Sequence, residues 1–100
     1  RLELSPRLLA ASVGHRQMKV LYFAWLRERL NRASDEVSPP PEVVTLADLI
    51  TWLRAQDEIL DHAMANPAIF KLSRDARIVP WDTPIDGARE IAILPPMTGG

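Results

Sequence analysis

The sequence predicts an α+β domain in which one sheet is packed by one principal helix. Three observations predict it. The opening run Lys19-Val20-Leu21-Tyr22-Phe23-Ala24 is rich in β-branched, aromatic and aliphatic residues, as a buried strand is. Leu46, Leu49, Ile50 and Leu53 recur at the i, i+3, i+4, i+7 spacing of a helix stripe. Three late strand-like stretches follow, the last being Glu90-Ile91-Ala92-Ile93-Leu94.

The 100 residues are enough for one domain and one core. A hydrophobic fraction of 47% with 25% charged residues is ordinary for a globular chain and excludes a disordered polar one. The formal charge of −1 leaves no basic footprint for nucleic acid or an anionic membrane surface, so neither is expected as a partner. With no cysteine, disulfides, thiolate catalysis and thiolate metal ligation are excluded together. No apolar run approaches the ~20 residues that span a bilayer, and no secretory signal is evident, which makes the cytoplasm the expected compartment.

Residues 1–17 carry Pro6, Gly14 and three arginines without a strand period. They read as an appended leader or vector-derived remnant, poorly ordered, with a short surface helix as the alternative. The domain proper is expected over residues 18–94. After the opening strand, expected to be central in its sheet, Leu26 and Leu30 fall on one face of a short helix that Asn31 ends. Glu36-Val37 suggests a short second strand. Pro39-Pro40-Pro41 cannot donate to a sheet ladder and is expected in a surface excursion.

Thr45 is placed to cap the main helix, with Asp48 completing a weaker capping box. Asp48, Thr51, Arg54 and Gln56 are expected to face water. The helical pattern extends weakly over 57–65 until Asn66-Pro67 stops it. Ala68-Ile69-Phe70-Lys71-Leu72 and Arg77-Ile78-Val79 then predict a hairpin joined by Ser73-Arg74-Asp75-Ala76. Asp86-Gly87 is a turn before the last strand.

The residues after that strand carry the functional signal. Pro95 to Gly100 form a tail of maximal reach roughly 20 Å. Consecutive prolines at 95 and 96 make a stiff, extended mount, Met97 and Thr98 a short linker. Gly99 and Gly100 lack a Cβ, so they fit a narrow channel and leave the terminal carboxylate open to a nucleotide or a nucleophile. Joined to AMP as a mixed anhydride, that carboxylate becomes an acyl donor. Terminal Gly-Gly alone is a weak signal. Its combination with a strand, a Pro-Pro mount and a short linker is specific.

Ile93-Leu94-Pro95-Pro96-Met97-Thr98-Gly99-Gly100, with Asp86-Gly87 upstream and Lys19 to Ala24 followed by Arg27-Glu28, resembles the small sulfur-carrier subunit of molybdopterin synthase over residues 18–100. Related thiamin-pathway carriers end in Gly-Gly without the Pro-Pro mount. The resemblance implies a ubiquitin-like β-grasp fold with a protruding C-terminal tail. It also implies adenylation of Gly100 by an E1-like activating enzyme using ATP, and conversion to a thiocarboxylate by a sulfurtransferase, with no cofactor bound permanently. The loaded tail would then enter the large synthase subunit and give sulfur to cyclic pyranopterin monophosphate, forming the dithiolene of molybdopterin. Residues 1–17, Pro39-Pro40-Pro41 and Ser73-Arg74-Asp75 depart from the family pattern.

Other residues are weighed against plainer roles. Arg27 matches a family position near the tail's base and either pairs with a partner carboxylate or is an ordinary exposed helix arginine. Ile78 and Leu94 form either a docking surface continuous with the tail or part of the core. His15 and His62 lack a metal-ligand cluster and are assigned no role, so no metal is expected. Asp57, Glu58 and Asp61 are expected to be a solvated face. Trp25, Trp52 and Trp81 are expected at the core or its edge. Besides a sulfur carrier, two functions fit the same tail: a ubiquitin-like modifier whose Gly100 is joined to lysines, and an interaction module with an inert tail.

Overall fold

The structure, a computed structural model, describes residues 17–97. The expected leader up to residue 16, His15, and Thr98, Gly99 and Gly100 lie outside the described residues. The elements are β1 (Met18–Tyr22), α1 (Ala24–Leu30), β2 (Ser34–Val37), α2 (Leu46–Gln56) and α3 (Glu58–Ala63). A 3-10 turn (Pro67–Ile69), β3 (Lys71–Arg74), β4 (Arg77–Val79) and β5 (Glu90–Leu94) complete the order.

The five strands form one mixed sheet in the order β2-β1-β5-β3-β4. β1 is interior, as its apolar composition predicts, but the middle strand is β5. It runs parallel to β1 and antiparallel to β3. One face carries Val20, Tyr22, Leu72, Ile91 and Ile93, all buried, and these pack with Leu46, Leu49, Ile50 and Leu53 of α2 in a single core cluster. Alternation along each strand sends Lys19, Leu21, Ala92, Leu94, Ser73 and Ile78 to the opposite face. The register pairs Leu21 with Ala92, Ala92 with Ser73 and Ser73 with Ile78.

The main helix starts as its sequence predicts. Thr45 Oγ1 accepts from the Asp48 amide at 3.1 Å, and Asp48 Oδ2 accepts from the amides of Thr45 at 3.1 Å and Val44 at 3.0 Å. Those amides hold the Asp48 carboxyl below the usual carboxylate range. The next two orphan donors are also satisfied, Leu46 N–H by Thr83 O and Ala47 N–H by Trp81 O. Replacing Thr45 by alanine should therefore cost about 1 kcal/mol, read as a lower denaturation midpoint with an unchanged slope.

Four expectations are corrected. First, the helical turns expected over 57–65 are present over Glu58–Ala63 but do not continue the main helix: Asp57 adopts an extended conformation and caps a separate one, its Oδ1 accepting from Leu60 N–H at 3.1 Å. Second, residues 68–70 are not strand. Pro67 opens a 3-10 turn, because its fixed φ and missing N–H suit a first helical position. Third, Ser73 and Arg74 belong to β3, and the hairpin connection shrinks to Asp75-Ala76, both at positive φ (50° and 75°) as a type I′ turn requires. The Asp75 carboxylate stitches this turn to β5 by accepting from the amides of Arg89 and Glu90, each at 3.0 Å. Fourth, the triple-proline loop is not wholly superficial, since Pro39 is buried and Val43, whose amide donates to Pro40 O, joins the core.

The acidic group at 57–61 is likewise more than a solvated face. Arg32 donates to Asp57 and to Asp35 Oδ2, the latter at 2.8 Å, and Tyr22 Oη donates to the same Asp35 oxygen at 2.7 Å. This cluster ties β1 and β2 to the start of α3, while Arg54 pairs with Asp61 at 2.8 Å. Burial tends to raise the Asp57 pKa, but the Arg32 guanidinium and the Leu60 and Ile59 amides outweigh it, leaving the carboxyl below its ordinary range. Burial and the neighbouring Asp35 push the Tyr22 hydroxyl above its own.

A lowered folded-state pKa means that the unfolded chain binds more protons below its own carboxyl pKa of about 4. Stability supplied by Asp48, Asp57 and Asp75, whose carboxyl is lowered chiefly by the amides of Glu90 and Arg89, is thus complete above that value and lost on acidification through it. Thermal midpoints should fall between pH 5 and about pH 3. Arg32→Ala should flatten that dependence while lowering stability at neutral pH by about 1–3 kcal/mol.

Candidate functional site

The candidate site is the end of the sheet from which the tail departs. β5 is paired on both sides up to Ile93, which lies beside Tyr22 of β1 and Leu72 of β3, and Leu94 is still held on one side beside Lys71 of β3. The chain therefore leaves from the best-held strand of the sheet. Pro95 and Pro96 are half-buried, and Met97 is 98% exposed. The transition from anchored to solvent-exposed chain is completed within three residues.

Around this exit, α1 supplies a platform. β1 turns into it through Ala24, whose φ of 52° is unusual for a residue with a Cβ. Trp25 donates its indole N–H to the Pro96 carbonyl at 3.1 Å. Its ring lies 5.6 Å from Phe70, with planes tilted 58°, and the Arg29 guanidinium carbon sits 5.0 Å over it. Trp81 in turn donates to Phe70 O at 3.2 Å. The tail's base is thus backed by an aromatic cluster joined to the core, and all three tryptophans are partly buried at its edge.

Leu94 and Ile78 share the outer face of the sheet, two strands apart, with Ala92 and Ser73 between them. Ile78 is 61% exposed and Leu94 half-buried. Leu21 extends the same face across β1, while the buried Ser73 and Ala92 separate Ile78 from it. Arg27 is exposed on α1, two residues from Trp25, and projects from a different side of the helix than the Trp25–Arg29 pair. Sequence reasoning missed Arg29, although its i, i+4 spacing from Trp25 was a usable signal. It also missed the Trp25–Pro96 contact, for which a separation of 71 residues gives none.

Away from the tail, a cavity of about 230 Å³ is lined by Tyr22, Arg32, Asp35, Trp52 and Asp57. Arg32 pairs with both Asp35 and Asp57 in its wall, which makes it a structural clamp. Among the described residues no group of three or more His, Cys, Asp or Glu is arranged to hold a metal, and His62 is exposed. No helix among them is long and apolar enough to cross a membrane.

Comparison with known proteins agrees with this architecture. No curated protein sequence matches the chain. Among solved structures, SAMP1 from Haloferax volcanii superposes with a TM-score of 0.68 at 19% identity, over 85% of this chain and 100% of its own. The small archaeal modifier protein 1 of Methanosarcina acetivorans gives 0.64 at 20% identity, over 86% and 98%. A candidate molybdopterin converting factor, subunit 1, from Pyrococcus furiosus gives 0.60 at 22% identity, over 81% and 98%. These likenesses establish the ubiquitin-like β-grasp fold, and the ThiS family model matches residues 20–100, from β1 through the terminal glycines. The mixed five-stranded sheet, the single main helix and that match together make the chain a member of the ThiS family, ubiquitin-like β-grasp proteins of the sulfur-carrier kind.

Proposed function

We propose that this protein is a sulfur carrier of molybdenum cofactor biosynthesis, acting in the cytoplasm as the sulfur-donating subunit of a synthase complex and not catalytic alone. The observation that carries the reading is the exit geometry: the central strand β5 passes through a Pro-Pro mount to a fully exposed Met97, within a family match that extends to residue 100. In this reading an E1-like enzyme joins the Gly100 carboxylate to AMP from ATP, releasing pyrophosphate. The persulfide of a sulfurtransferase displaces AMP to form an acyl disulfide, and a thiol reductant cleaves its S–S bond, leaving the thiocarboxylate on Gly100 and a disulfide on the thiol side. In the large synthase subunit the C–S bond is broken, sulfur passes to cyclic pyranopterin monophosphate, and water restores the carboxylate.

The chain's own contribution is positioning. Gly99 and Gly100 present no side chain to the nucleotide, Pro95 and Pro96 limit the conformations the tail must give up on entry, and Met97 and Thr98 span the channel. In this reading the exposed Ile78, the half-buried Leu94 and the exposed Arg27 contact the partner. A thiamin-type pathway would use the same chemistry. The Pro95-Pro96 mount and the likeness to the Pyrococcus furiosus protein favour the molybdopterin assignment.

A modifier role has its own support, since two of the similar structures are archaeal modifier proteins. There an amine instead of sulfur would trap the adenylate. Intact-mass measurement after co-expression with an activating enzyme separates the readings. Replacement of one oxygen by sulfur supports the carrier, isopeptide adducts on other proteins support the modifier, and an unchanged mass leaves an inert module.

A further inference from the structure

The two prolines of the mount have no amide hydrogen, so nothing in this stretch can be held to the body by backbone donation. Only its carbonyls can be held. Pro96 O is the last of these before the exposed Met97, and it is the one that Trp25 takes. An indole is a donor only, and a half-buried one requires an acceptor. Its aim is fixed from two sides, by the tilted Phe70 ring and by the Arg29 guanidinium over the ring. The bond spans 71 positions of sequence and reaches past the last strand residue, so sheet pairing does not account for it.

We infer that Trp25 is a positioning residue for the tail: by holding the Pro96 carbonyl it sets the line along which residues 97–100 leave the domain. The inference rests on the carrier reading. Four residues follow Pro96 in the sequence, a maximal reach of roughly 13–14 Å, against six after Leu94 and roughly 20 Å. The shorter leash keeps the terminus near one direction and lowers the entropy lost when it enters a partner's channel. Such an effect acts equally on bound ground state and transition state. It therefore belongs in KM and leaves kcat alone.

The test is Trp25→Phe in the full chain, which keeps a ring between Phe70 and Arg29 but removes the donor. We expect the heteronuclear NOE of the Met97 amide to fall. With the activating enzyme and ATP, pyrophosphate release should show a KM raised about three- to tenfold at unchanged kcat, the range expected for one hydrogen bond. Unchanged Met97 order together with unchanged KM would overturn the inference. If the unsubstituted chain releases no pyrophosphate, the carrier reading fails by itself, and the Met97 order alone decides on Trp25. Should the variant not fold, exchange of the Trp25 indole hydrogen in the unsubstituted chain decides instead: slow exchange supports the anchor, and exchange at the solvent rate removes it.

Discussion

Deleting Gly100, or replacing Gly99 by valine, is expected to abolish sulfur loading and transfer while leaving the thermal midpoint within about a degree or two of the parent. Among the described residues the buried cluster ends at Ile93, and every core residue lies upstream of the mount. Substitutions outside the core and away from caps shift stability by no more than about 0.5 kcal/mol. The chemistry is far more exacting. In the proposed carrier reading, removing Gly100 would put the reacting carboxylate one residue short of its place, and a branched side chain at 99 would obstruct a partner's channel. A displacement of about 1 Å at a reacting centre already costs about a hundredfold. Pyrophosphate release and intact mass report the loss, and calorimetry reports the retained fold. A variant that lost its fold together with its activity would place the tail inside the domain and contradict the carrier reading.

The opposite pattern is expected for Ile93→Ala. Ile93 is fully buried on the middle strand, flanked by Tyr22 of β1 and Leu72 of β3 on the face that meets α2. Truncating it removes three carbons from the centre of the cluster and leaves a cavity that paired strands cannot collapse to fill. The cost should be about 2–5 kcal/mol. For a domain of this size that lowers the thermal midpoint by about 10 °C or more. Transfer should fall only in proportion to the unfolded fraction, and lowering the temperature should restore it. An activity loss that persisted in the folded variant would mean that Ile93 acts on the tail directly, two residues ahead of the mount.

Some of this could be read from the sequence, and the physical reason differs from element to element. The main helix was legible because its stripe, its cap and its capping box are all local: Leu46 to Leu53 and Thr45 with Asp48 agree with one another. β5 was legible in its bounds because Asp86-Gly87 and Pro95-Pro96 punctuate it, and Gly87 does take a positive φ of 81°. The β3–β4 turn was not. Asp-Ala is a poor sequence signal for two positive-φ residues, and what holds it is the long-range stitching of Asp75 to Arg89 and Glu90. The break between α2 and α3 also depends on distance, since Asp57 is turned out of the helix beside Arg32, 25 positions away. Phe70 looked like strand because it is apolar and aromatic, yet it is buried against Trp25 at the end of a 3-10 turn. Of the candidate site, the mount and the glycines could be found from composition and order. The platform that receives them could not, because it is assembled only when α1 and the end of β5 meet.

That β5 lies between β1 and β3 bears on how the molecule is made. Without it the remaining strands fall into two separate antiparallel pairs, β1 with β2 and β3 with β4, which share no edge. Its pairing with β1 closes a loop of about 70 residues, a non-local step of the kind that slows folding. The nascent chain thus has no complete sheet until Glu90–Leu94 has been synthesised. Any product truncated before Glu90 lacks both the joining strand and the tail, and leaves β1 and β3 each with an unpaired edge.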